Sequence, residues 1–214
     1  MPEIGASLIN PDAGSHPVTS DPREIGAAVA AGERAYRELP YFPARYGERG
    51  RGFGHSDGAW LSLIAAREQP QVNAEVRWLG ELLAARGMPQ WLMEQYLEFL
   101  YHELVAAAPE NGAQYARLLN AAEMLRDQRR AQIRESDFIE LSEAFDRAAP
   151  REWVERLPEM GRLLVSAVAD EAAGIAMAVS RLEEWATDPA RFPVEWVAAV
   201  RETITAARAS VMRL

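Results

Sequence analysis

The chain has 214 residues, no cysteine, and 23 basic residues that are all arginine, against 32 acidic ones, for a formal net charge of −9. Without lysine there is no Schiff-base chemistry and no phosphate-loop lysine; without cysteine there is no thiol nucleophile, disulfide, iron–sulfur cluster or thioether-linked haem. The acidic balance argues against nucleic-acid and anionic-membrane partners.

No stretch reaches the roughly 18 apolar residues that a membrane span needs. The first residues lack the basic start and long apolar run of a secretion signal, so the cytoplasm is the expected compartment. Length and composition suit one globular domain. The expected organisation is a flexible arm over residues 1–19 followed by a single all-helical domain over 20–214.

The arm is rich in Gly, Pro and Ser and has no periodicity. A first helix opens at Asp21, with Pro22 at its first position and Glu24 completing a capping box. Its expected buried face is Ile25, Val29, Gly32 and Tyr36, and it stops before Leu39-Pro40. Residues 41–58 (YFPARYGERGRGFGHSDG) read as a Gly-rich connection, with Ser56 or Asp57 capping a helix that carries Trp60, Leu61 and Ile64 to about Glu68.

Pro70 opens a helix with Val76, Leu79, Leu82 and Leu83 inward, closed by Gly87. Pro89 opens the next, with Leu92, Met93, Tyr96, Leu97, Leu100 and Leu104 on one side, so the Gly-Met-Pro link predicts an antiparallel hairpin. After Pro109 and Gly112, the stripe Tyr115, Leu118, Ala122, Leu125 marks a helix running to about Arg130. Phe138, Leu141, Phe145 and Ala148 mark another, ended by Pro150.

Residues 151–186 read as helix interrupted near Pro158, with Leu164, Val168, Ile175 and Val179 inward. A final helix from Pro193 carries Val197, Val200, Ile204, Ala207 and Val211. The expected fold is thus an all-α compact bundle of about eight helices built from antiparallel hairpins. Residues 71–108 and 162–214 both read as helix pairs whose second member opens Pro-x-Trp or Pro-x-x-Trp, around Trp91 and Trp196.

The Gly-rich connection is the least ordinary stretch. Glycines let backbone approach a ligand, and guanidinium forks bind carboxylate or phosphate. Arg45, Tyr46, Arg49, Arg51, His55, Ser56, Asp57 and Trp60 are therefore the candidate ligand-binding residues. The plainer reading is a surface connection whose arginines pair with the protein's own carboxylates. Its glycines fit neither the Walker spacing nor a dinucleotide fingerprint.

His102 is the one histidine expected on a helix and is the candidate cofactor ligand, for haem or another tetrapyrrole. Projection at 100° per residue instead sends His102 outward with Trp91, Glu94 and Glu98. The same projection puts Glu171 at the edge of an inward face, turns Asp170 away, and places Glu103 beside Tyr96 and Phe99. A structural pairing with Arg or a hydroxyl is the plain reading, and an acid/base pair would require both to face one cavity.

No Glu-x-x-His pair, zinc set or nucleophile elbow is present. The expected role is a non-enzymatic binding or regulatory one, through residues 45–60 toward a protein partner or a small anionic ligand. A helical pocket for a tetrapyrrole or other cofactor, with or without catalysis, is the alternative. An exposed Trp91 face, or the Val197–Val211 seam if it is not covered internally, would suit a homodimer.

Overall fold

The computed structural model describes residues 4–211, and among them are ten α-helices, two 3₁₀ turns and one short antiparallel ladder. The protein is all-α. The helices are α1 (Pro22–Glu38), α2 (Tyr41–Ile64), α3 (Gln69–Ala84), α4 (Gln90–Ala107), α5 (Gly112–Arg130), α6 (Glu135–Ala148), α7 (Arg151–Arg156), α8 (Met160–Ala172), α9 (Ala178–Ala186) and α10 (Val194–Val211). Among the described residues no helix is long and apolar enough to cross a membrane.

The chain divides into two compact units. The first takes the chain up to Val76 together with Glu94–Met124; the second takes Arg77–Met93 together with the chain from Leu125.

Local signals account for three of the helix ends. Asp21 caps α1 by accepting from the Arg23 N–H at 2.9 Å, and Pro22 occupies the first turn. Glu24 does not close a capping box; its carboxylate accepts from the hydroxyls of Thr19 and Tyr115 instead. Gly87, at φ 85°, ends α3 in a Schellman arrangement, with the Met88 N–H on the Leu83 carbonyl at 3.0 Å.

Gly174, at φ 95°, does the same for α8, with the Ile175 N–H on the Asp170 carbonyl at 3.0 Å. Helix therefore does not run from the Pro158 break to 186 as expected. A second interruption separates α8 from α9.

In the first unit, α1 and α2 meet over small residues. The buried face of α1 is Ala27, Ala28, Ala31, Gly32 and Ala35, not the expected Ile25–Val29–Tyr36 stripe. On α2, Gly58 is bare opposite Ala28, where a side chain would come within 3.1 Å of the Ala28 Cβ, while the His55 ring fills the space at Gly32, 2.7 Å from where a side chain would be. Small residues let the helices approach closely at Ala28 and Gly58 and make room for one ring, His55, at Gly32.

The residues expected as an arm are built into this unit. Ile4–Gly5 (β1) pairs with Pro17–Val18 (β2) around a 3₁₀ turn at Ala6–Leu8, and Ala6, Asn10, Ala13, Val18 and Thr19 are buried. Asn10 sits where a Gly52 side chain would be, 3.1 Å from that position.

The second unit is filled with rings. Trp196 on α10 is fully buried, edge-on to Phe145 at 5.0 Å, stacked on Phe192 at 5.3 Å and tilted against Trp153 at 6.1 Å. Its indole N–H donates to the Ala186 carbonyl at 3.1 Å. One glycine contact also occurs here: a side chain at Gly161 would run into the Ser142 backbone at 2.5 Å.

Asp170 is buried and accepts from the Gln90 N–H at 2.9 Å, while the Ser166 hydroxyl oxygen accepts from the Trp91 N–H at 3.3 Å. Side chains of α8 thus satisfy the first free amides of α4. Trp91 and Glu94, expected to face outward, are both buried. The first turn of α4 is buried on every side from Gln90 to Glu94, so no polar face exists there for the projection to find.

Candidate functional site

The expected loop over 41–58 is helix, which corrects the reading of that segment. Helical hydrogen bonding continues from Tyr41 to Ile64 across a single break at Gly47, where φ is 53° and ψ −155°. Glycine within a helix costs roughly 1 kcal/mol relative to alanine, and packing against α1 offsets that cost for α2. Gly50, Gly54 and Gly58 recur every fourth residue and so share one side of the helix.

The break at Gly47 is held by neighbours. The Tyr36 hydroxyl donates to the Gly47 carbonyl at 3.1 Å, and the Tyr36 ring stacks on Phe42 at 5.7 Å. Burial, and then the charge of Glu48, push the Tyr36 hydroxyl up to about 12. Tyr96 donates to the Gly54 carbonyl at 2.8 Å; burial followed by the Asp57 charge holds its hydroxyl well above the ordinary tyrosine range.

The three arginines of the candidate set have different surroundings. Arg45 donates to the Tyr41 hydroxyl at 2.6 Å, with its guanidinium 5.3 Å from the Tyr46 ring centre. Arg51 is tied across helices, reaching Glu33 of α1 at 2.5 Å and Glu48 at 3.2 Å. Glu33 also meets the His55 ring, whose Nε2 lies 3.0 Å from its Oε1. The Arg51 guanidinium holds the Glu33 carboxyl below its usual range despite the opposing effect of burial.

Arg49 differs. Its side chain is 76% exposed and touches Asp12, itself 59% exposed, through Nε at 3.3 Å. The guanidinium lies 5.7 Å from the Phe53 ring centre. Among α2 side chains, Tyr46, Phe53 and Trp60 are half-buried, so rings and a guanidinium share accessible surface.

The remaining expected residues do other work. Ser56 is no cap; it is buried inside α2 and its hydroxyl donates back to the Phe53 carbonyl at 3.1 Å. Asp57 is half-buried within the same helix. His102 is exposed, its ring edge-on to Tyr101 at 5.3 Å.

The expected order of Asp170 and Glu171 is reversed: Asp170 is the buried one, and Glu171 is exposed and holds Arg208 through two 2.9 Å contacts. Glu171 is therefore a surface ion-pair member. The run from Leu163 to Asp170 is buried throughout, which removes the amphipathic phase on which the projection relied.

Sequence reasoning missed Glu33, Glu48 and Tyr36, which organise the Arg51–His55 cluster. Of the four-spaced glycines, Gly50 and Gly58 lie against Tyr36 and Ala28 of α1, whereas the side-chain position of Gly54 is open, so the spacing signals helix and only in part a packed face. Among the described residues no group of three or more His, Cys, Asp or Glu side chains is arranged to hold a metal ion. No protein-family model, curated protein or solved structure matches the chain.

Proposed function

We propose that the first unit is a non-enzymatic recognition module that binds an acidic group of a protein partner through the accessible side of α2 between Arg45 and Trp60. The observation that carries this reading is the contrast between Arg51 and Arg49. Arg51 is held by Glu33 of α1 at 2.5 Å, with an exposed Glu48 at 3.2 Å beside it, whereas the carboxylate contact of Arg49 is a single 3.3 Å one to an exposed Asp12. Exposed pairs of that kind contribute little to folding and exchange readily.

Half-buried Tyr46 and Phe53 lie on the same helix, and arginine beside aromatic rings is the composition enriched where proteins dock. An incoming carboxylate or phosphate would replace Asp12 at Arg49. Arg45 and Tyr46 would supply the flanking surface.

The test is a titration followed by amide chemical shifts, using an Asp/Glu-rich peptide, glutarate and inorganic phosphate in separate arms. Wild type should show saturable shifts around residues 12 and 49. Arg49→Ala should weaken peptide binding by about tenfold or more, the scale of one lost charge-assisted contact. Arg51→Ala should chiefly lower stability. Peptide selectivity supports a protein partner, equal response to phosphate assigns a small anion, and identical behaviour of all three proteins removes the site.

A further inference from the structure

We infer that Met177, in the second unit, is a site of reversible oxidation to methionine sulfoxide. The chain has seven methionines and no cysteine, so a two-electron oxidant such as hydrogen peroxide meets only thioether sulfur. Five methionines lie among the described residues. Met160 and Met93 are 1% and 6% exposed, Met88 and Met124 are half-buried, and Met177 is 49% exposed.

The backbone presents the side chain. Met177 stands directly before α9 in the left-handed region, φ 68° and ψ 0°, at the end of the turn opened by Gly174. L-residues with a Cβ adopt that conformation at a cost. Its neighbours Ala173, Gly174 and Ala176 are small and exposed. The Ser180 hydroxyl lies 3.6 Å from the sulfur and 3.3 Å from the Met177 carbonyl oxygen.

In the reaction the sulfur attacks one peroxide oxygen; an S–O bond forms and the O–O bond breaks. Sulfur loses two electrons, and the departing hydroxide takes the proton of the transferred hydroxyl and leaves as water. The sulfoxide oxygen is a far stronger acceptor than the thioether, and Ser180 is placed to donate to it. A thiol-dependent sulfoxide reductase reverses the change. Because Met177 lies outside the core, the modification alters surface chemistry and leaves the fold standing.

The experiment treats the native protein with hydrogen peroxide and follows each methionine by peptide-resolved mass spectrometry, with a urea-unfolded control. Met177 should gain oxygen about tenfold or more faster than Met93 and Met160 in the native protein, with all rates converging in urea. Met177→Leu should remove the fast phase. Equal native rates at the three sites overturn the proposal. A shift in the ratio of sulfoxide epimers in Ser180→Ala supports the hydroxyl's part, and an unchanged ratio removes Ser180 from it.

Discussion

The two units solve the same packing problem in opposite ways. In the first, α1 and α2 approach through small residues, with Ala28 set against Gly58 and Gly32 against His55. In the second, α10 is anchored by adding side chains, with Trp196 enclosed by Phe145, Trp153 and Phe192. Close backbone approach is sensitive to added atoms, and a ring cluster is sensitive to removed ones. The same number of atoms gained or lost should therefore have opposite consequences in the two places.

The largest expected effect is removal of the central ring. Trp196→Ala should destabilise the protein by about 3–5 kcal/mol, through lost burial and the cavity left among three rings. Denaturant unfolding measures it, and a loss under about 1 kcal/mol would show that the cluster is not what holds α10.

In the glycine pair the sign is the test. Gly58→Ala drives a methyl into the Tyr96 hydroxyl and to 3.1 Å from Ala28, so the Tyr96–Gly54 hydrogen bond or the helix spacing must give. The expected cost is about 1–3 kcal/mol. Gly54→Ala, one turn earlier, meets nothing within 4 Å. It should stabilise α2 by roughly 0.5–1 kcal/mol. If both substitutions destabilise equally, the distinction between tight and open glycines fails.

This contrast also explains what was legible in the sequence. Helices with large apolar residues on one face declared themselves: Val200, Ile204 and Ala207 are buried as their spacing predicts. Capping chemistry located Asp21 and Gly87, while Gly174 carries the same stop signal in a run that otherwise favours helix. Glycine was misleading in α2 because single-residue propensity speaks for a loop, and only packing against α1 reverses it.

Asp170 and Trp91 were misplaced for a different reason. A helical stretch buried on all sides has no polar face, so its hydrophobic pattern carries no phase. Of the candidate site, the arginines and His55 were visible as residue types. Their sorting into a locked Arg51 and an exchangeable Arg49 depends on Glu33 and Asp12, which are remote in sequence and belong to no motif.

The smallest expected effect tests whether the polar cluster beside the α1–α2 seam is part of the packing or only decorates it. The Glu33 carboxyl is held below its ordinary value of 4.5, first by Arg51 and secondarily by His55. A depressed folded-state value means that the unfolded chain binds the proton more readily. The resulting stabilisation is present at pH above 4.5 and is lost as pH falls through the depressed folded value. Glu33→Gln keeps an acceptor near His55 but removes the charge that Arg51 meets. The gap in thermal midpoint between wild type and Glu33→Gln should therefore be widest near neutral pH and close on acidification below 4.5. A gap that stays constant across that window would mean that Glu33 acts through shape and hydrogen bonding, and that the seam is held by its small residues without electrostatic help.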